Sequence, residues 1–189
     1  MTSLGRPANP RHAGFSLLEL LVTLIVVVMI TALVTLNVGS GGRDMRLEGQ
    51  LRDLAGVAAY ALDEAQMMGV DYGLVVYQES VEGELIYVCR WLERQPEPEG
   101  WGEPSTGKEI FSPLQLPANV ELELELEGAP LNDLAPEENT QATPQVVFYA
   151  SGEVATGALD VRRRDSGELL WRLEWDLLGR FELTRGGEI

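Results

Sequence analysis

The sequence predicts an α+β protein in which one long N-terminal helix, apolar in its first half and amphipathic in its second, packs on antiparallel β-sheets. Three observations carry this. Residues 20–34 are nearly all Leu, Ile, Val, Met or Ala. Residues 47–68 repeat leucine and alanine at helical spacing. After Gly69 the texture changes to short β-branched and aromatic runs, with Gly, Pro and acidic turn residues between them.

Within the apolar run the only polar side chains are Thr23 and Thr31, whose hydroxyls can bond back to a helix carbonyl. A helix over residues 15–36 rises about 1.5 Å per residue and spans roughly 30 Å, the thickness of a bilayer core. The segment therefore reads as a membrane-spanning helix. Glu19 sits inside it. An ionised carboxylate at such depth costs about 2.5–3.5 kcal/mol or more, so a residue of this kind is functional and paired. Arg6 and Arg11 precede the run and no acid does. That bias keeps the N-terminus in the cytoplasm and sends the rest of the chain across. A secretory signal peptide would close on a small-residue cleavage pattern. Here Gly39-Ser40-Gly41-Gly42 follows without one, and a signal peptide gives Glu19 no role.

The next segments follow in order. Gly39-Ser40-Gly41-Gly42 reads as a flexible break. Residues 43–69 read as an amphipathic helix, with Leu47, Leu51, Leu54, Ala58, Ala61, Leu62, Ala65 and Met68 on the apolar face and Gly69 as its C-cap. Strands are predicted at 73–77, 84–92, 109–111, 120–127, 145–149, 158–162, 169–175 and 180–183, and loops at 93–107 and 128–144, both rich in Pro and Gly. Residues 120–127 alternate strictly, so one face is buried and Glu121, Glu123, Glu125 and Glu127 line the other.

Two stretches carry a family resemblance. Gly14-Phe15-Ser16-Leu17-Leu18-Glu19-Leu20-Leu21 resembles the class III signal of type IV pilins and type II secretion pseudopilins. The resemblance implies a type IV pilin-like fold. It implies that residues 1–14 are a leader which prepilin peptidase removes after Gly14. Phe15 would then be the N-methylated mature N-terminus, and Glu19 the acid that meets the α-amine of a neighbouring subunit and sets register. Residues 15–38 would be the transmembrane and filament-core helix, and residues 39–189 the periplasmic head. Many relatives have a proline in the apolar helix; this chain has none. In the C-terminal half, Phe148-Tyr149-Ala150-Ser151-Gly152-Glu153-Val154, Trp171-Arg172-Leu173 and Asp176-Leu177-Leu178-Gly179-Arg180 resemble the H-type minor pseudopilins of type II secretion. FimU-type minor pilins of type IV or competence pili share this shape and stand as the alternative.

The resemblance implies a non-catalytic structural subunit at or near the tip of the periplasmic pseudopilus. Its partners would be other minor and major pseudopilins, prepilin peptidase and the bacterial inner membrane. No cofactor, no nucleic acid and no small-molecule substrate is implied. The chemistry of the chain agrees. Formal charge is −16, with 30 acids against 14 bases, which disfavours nucleic acid. Loss of Arg6 and Arg11 with the leader leaves 12 bases and −18. His12, the lone histidine, lies in the leader, so the mature chain has no imidazole for a triad or a metal. Cys89 is the sole cysteine, so no internal disulfide can form, and its apolar run reads as a buried thiol. The glutamates of 121–127 read as a solvated strand face rather than a calcium site, because a straight strand does not converge its oxygens. Trp101, between Gly100 and Gly102, reads as a partner contact or as an indole folded onto its own domain.

Overall fold

The computed structural model describes residues 17–96, 99–128 and 143–187. Gly14, Phe15 and His12 lie outside them, as does most of the predicted loop 128–144. The elements are α1 (Leu17–Met68), β1 (Tyr72–Val81), β2 (Glu84–Gln95), β3 (Gly100–Gly102), β4 (Leu114–Gln115), β5 (Val120–Leu126), β6 (Val146–Phe148), β7 (Gly157–Arg163), β8 (Leu169–Trp175) and β9 (Phe181–Arg185). The chain divides into two compact units at Arg43/Asp44.

The expected break at Gly39-Ser40-Gly41-Gly42 is not there: α1 is a single helix from Leu17 to Met68. Each glycine costs about 1 kcal/mol relative to alanine in a helix interior. Two new helix ends would leave several main-chain groups unpaired and would require a second nucleation. Continuing the helix is the cheaper solution.

In the second unit, α1 buries the face its spacing predicts. Leu47, Leu51, Leu54, Ala58, Ala61, Leu62 and Ala65 are all buried, whereas Met68, at the helix end, is exposed. Two antiparallel sheets complete the core. One has the order β3-β2-β1-β6, with β4 also on β2; the other is β5-β7-β8-β9. The inward rows are Tyr72, Leu74 and Val76 of β1, Tyr87, Cys89 and Trp91 of β2, and Val120, Leu122, Leu124 and Leu126 of β5, all in the main core. Glu121, Glu123 and Glu125 alternate outward as predicted.

β1 and β2 form a long hairpin closed by Glu82 and Gly83, which take φ of +54° and +87°. Two positive-φ residues make the primed turn whose twist suits an antiparallel pair. β3 and β4 fall where a loop or nothing was expected. Residues 109–111 are a turn rather than the expected strand: Ile110 and Phe111 both donate to the Gly107 carbonyl, at 2.8 and 3.0 Å. That turn drives Phe111 into an aromatic group with Tyr60, Tyr72 and Trp91, at centroid distances of 5.6, 5.1 and 5.7 Å.

Candidate functional site

The N-terminal apolar helix is the first candidate. Glu19 stands in the first turn of α1. The Thr23 hydroxyl donates to the Glu19 carbonyl at 2.7 Å and to Leu20 O at 3.0 Å; Thr31 donates to Val27 O at 2.7 Å. Both hydroxyls are thus turned into the helix. Apart from the exposed Glu19, what remains outward is hydrocarbon: Leu17, Leu20, Leu24, Val28 and Met29 are all more than half exposed. A helix apolar all round is stable when lipid or other helices surround it. Among the described residues no helix is long and apolar enough to cross a membrane. The described side chains of the apolar stretch cover residues 17–31, about 22 Å of helix.

The second candidate is Trp101. Its strand pairs with β2 so that Trp101 stands opposite Arg94, whose guanidinium lies 5.3 Å from the ring centroid. A Cβ on Gly73 would come within 3.1 Å of Trp101 Cζ3 and 2.5 Å of Pro144 Cβ and Cγ, so glycine is required for this close approach. The indole therefore rests on its own domain and is half-buried, with part of its surface open.

Sequence reasoning missed the polar seam that fastens the loop after β3. Glu93 is buried, and it accepts the Ser105 N–H at 2.7 Å and the Ser105 hydroxyl at 3.0 and 2.8 Å. Thr106 donates to Glu64 of α1 at 3.3 Å. The hydrogen bond to Glu64 holds the Tyr60 phenol above its ordinary value, and burial does the same for Tyr72. Pro104-Ser105-Thr106-Gly107, a polar turn beside prolines, was the available signal.

A second joint ties the sheets together. Arg164 donates to Glu121 at 3.3 Å and to the Leu85 carbonyl at 2.9 Å, and its guanidinium lies 6.0 Å from the Tyr87 ring centroid. Tyr87 donates to Glu121 at 2.9 Å and accepts from Gln78 at 2.7 Å. Burial raises the Tyr87 phenol.

The outward carboxylates meet arginines rather than each other. Glu123 faces Arg162 at 3.2 Å and Glu125 faces Arg172 at 3.2 Å. Asp160, buried between them, takes Arg162 at 2.8 Å and Arg172 at 2.7 Å. Hydrogen bonds to Glu174, Glu125 and Asp160 raise the Arg172 value further. Among the described residues no group of three or more His, Cys, Asp or Glu could hold a metal ion. Cys89 is fully buried, and burial pushes its thiol up to about 12. Such a thiol is protonated and inert near neutral pH.

Comparison with known proteins agrees with this anatomy. Residues 9–35 match the prokaryotic N-terminal methylation motif. The chain is 26% identical over 185 residues to type II secretion system protein H of Aeromonas hydrophila, covering 94% of this chain and 96% of that one. It is 27% identical over 156 residues to the protein of the same name from Pseudomonas aeruginosa, covering 80% and 83%. Its fold matches the crystal structure of the minor pseudopilin EpsH from the type II secretion system of Vibrio cholerae with a TM-score of 0.56 at 19% identity, over 73% of this chain and 92% of that one. The solution structure of GspH from E. coli matches with a TM-score of 0.51 at 20% identity, over 77% and 92%. The chain thus carries the prokaryotic N-terminal methylation motif, is similar to type II secretion system protein H over nearly its whole length, and shares the fold of EpsH and GspH.

Proposed function

We propose that the protein is a minor pseudopilin working in a type II secretion system. It enters the inner membrane with its N-terminus in the cytoplasm and its head in the periplasm. Prepilin peptidase cuts between Gly14 and Phe15, and Phe15 is N-methylated. Residues 15–38 then pass from lipid into the core of the pseudopilus, and the head stands at or near its tip among other pseudopilins. The open part of Trp101 is one contact offered to a neighbouring head.

The observation that carries this reading is the bare hydrocarbon surface of α1 with Glu19 in its first turn. Cleavage would create an ammonium at the end of that helix. A carboxylate and an ammonium are each costly in an apolar surround, and pairing offsets much of that cost. In a bundle of staggered helices Glu19 reaches the amine of the next subunit. The protein's work is assembly, without turnover of a substrate.

The test is intact mass and N-terminal sequencing of protein extracted from membranes, with companion subunits identified in the same sample. The expected product begins at N-methylated Phe15. A product that keeps Arg11 and His12, or begins beyond the apolar stretch, overturns the reading.

A further inference from the structure

Among the described residues, one half of an edge of the long hairpin has no partner strand. Odd residues of β1 bond to β2: Gly73, Val75, Tyr77, Glu79 and Val81 stand opposite Leu92, Arg90, Val88, Ile86 and Glu84. Even residues turn their N–H and C=O to the other side, where β6 pairs only with Tyr72, Gly73 and Leu74. The next even position, Val76, is closed by a side chain acting as a strand. Val76 N–H donates to Gln145 Oε1 and Gln145 Nε2 donates to the Val76 carbonyl, both at 2.9 Å. Pro144, which has no N–H to offer, then lies over Gly73. Beyond Val76, among the described residues, no partner reaches the main-chain groups of Gln78 or Ser80. Glu79, Ser80 and Val81 are exposed.

We propose that this half-edge, from Gln78 to Val81, takes an added β-strand: an extended, lysine- or arginine-bearing segment of a partner protein. The Gln145 amide shows that this edge accepts strand-like pairing one position earlier. No proline or bulge interrupts the continuous register of Tyr72–Val81 with β2. Main-chain pairing would supply affinity and the neighbouring side chains would supply selectivity. Glu79, Glu82 and Glu84 are exposed at the tip of the hairpin, while the nearby arginines are engaged elsewhere: Arg90 lies over the Tyr77 ring and Arg164 donates to the Leu85 carbonyl and to Glu121. A second copy of the same edge is disfavoured, because antiparallel pairing centred on Glu79 sets it against its own counterpart, and like charges directly opposite repel. A basic strand satisfies both the open amides and the carboxylates. The inference does not depend on the export reading, since it concerns a folded edge and not the N-terminal processing.

The test uses the full chain in detergent micelles and a synthetic heptapeptide of alternating lysine and valine. Two controls accompany it: the same peptide with glutamate for lysine, and the lysine peptide with alternate backbone nitrogens methylated. The expected result is saturable binding of the lysine peptide, at least tenfold tighter than either control. Amide exchange at Gln78 and Ser80 should slow at least tenfold, while Glu79 and Val81, already in the ladder, stay unchanged. Ser80→Pro removes only an edge-facing N–H, which an edge strand tolerates. It should weaken binding at least tenfold with the melting curve unaltered. Glu79→Gln with Glu82→Gln should weaken it several-fold and flatten the salt dependence. Equal binding of the methylated or acidic peptide, full binding by a folded Ser80→Pro variant, protection confined to another part of the chain, or no saturable binding at millimolar peptide would each overturn the proposal.

Discussion

Ser105 is held to the buried Glu93 carboxylate through both its main-chain N–H, at 2.7 Å, and its hydroxyl, at 2.8 Å. This pair decides where the loop after β3 lies. It fixes the loop against β2 and sets Phe111 up to reach the aromatic group beside α1. Ser105→Ala removes one donor and leaves a buried acceptor short, which costs about 1–3 kcal/mol. Urea unfolding of the full chain in micelles, followed by tryptophan fluorescence, should show that loss. The loop should also become a site of limited proteolysis. Unchanged stability with an uncut loop would remove the pair from its anchoring role.

Gly73 is the second sensitive point. A side chain there meets Pro144 and the Trp101 ring at 2.5 and 3.1 Å. Gly73→Ala should cost about 1–3 kcal/mol through forced displacement of its neighbours. Trp101→Ala removes one of those neighbours, so adding it to Gly73→Ala should recover part of the loss. If Trp101 also meets a companion head, Trp101→Ala alone should weaken co-purification of other pseudopilins beyond its small effect on stability. Simple additivity of the two substitutions would mean that they do not share a contact.

Cys89 supplies a pH dependence. Burial raises its thiol from an ordinary value near 9 to about 12. The folded state therefore resists ionisation that the unfolded state allows. This contribution is complete below pH 9 and is lost as pH rises from 9 toward 12. Stability should fall over that window, and Cys89→Ala or Cys89→Val should flatten the fall. Below pH 8 a maleimide should leave the native thiol unmodified and label it at the rate of unfolding. Fast labelling of the native protein would contradict its burial.

Much of this was legible in the sequence, for reasons that differ from element to element. The buried face from Leu47 to Ala65 was readable because a helix against a sheet repeats its contacts every turn. Residues 120–126 were readable because a half-buried strand alternates. Cys89 was readable from its apolar neighbours. Local composition misled where long-range structure decides. Gly39-Ser40-Gly41-Gly42 looks like a break, yet helical segments on both sides carry α1 through it. Residues 109–111 look like a strand, but Gly107 takes φ of +63° and its carbonyl closes a turn. β3 lies in a stretch of prolines and glycines and forms only because β2 extends to Gln95. The Glu93–Ser105 pair, 12 residues apart in sequence, has no periodic signature at all.

Glu19 carries the prediction on which the filament reading turns. It stands in the first turn of a helix whose outward surface is hydrocarbon. In the proposed assembly it neutralises the amine that cleavage exposes on the next subunit. Glu19→Ala or Glu19→Leu makes the helix more apolar, so membrane insertion and cleavage after Gly14 should persist. Incorporation should not, because each unpaired amine would then be buried in the filament core. One uncompensated buried charge costs about 3–5 kcal/mol, which is more than a tenfold loss of assembled protein. Cross-linking of the head to companion pseudopilins, scored against total membrane protein, measures it. Glu19→Asp keeps the charge on a shorter arm and should restore part of the yield. A Glu19→Leu protein that is inserted, cleaved and cross-linked at the normal level would mean that the acid sets no register, and that some other contact places the subunit.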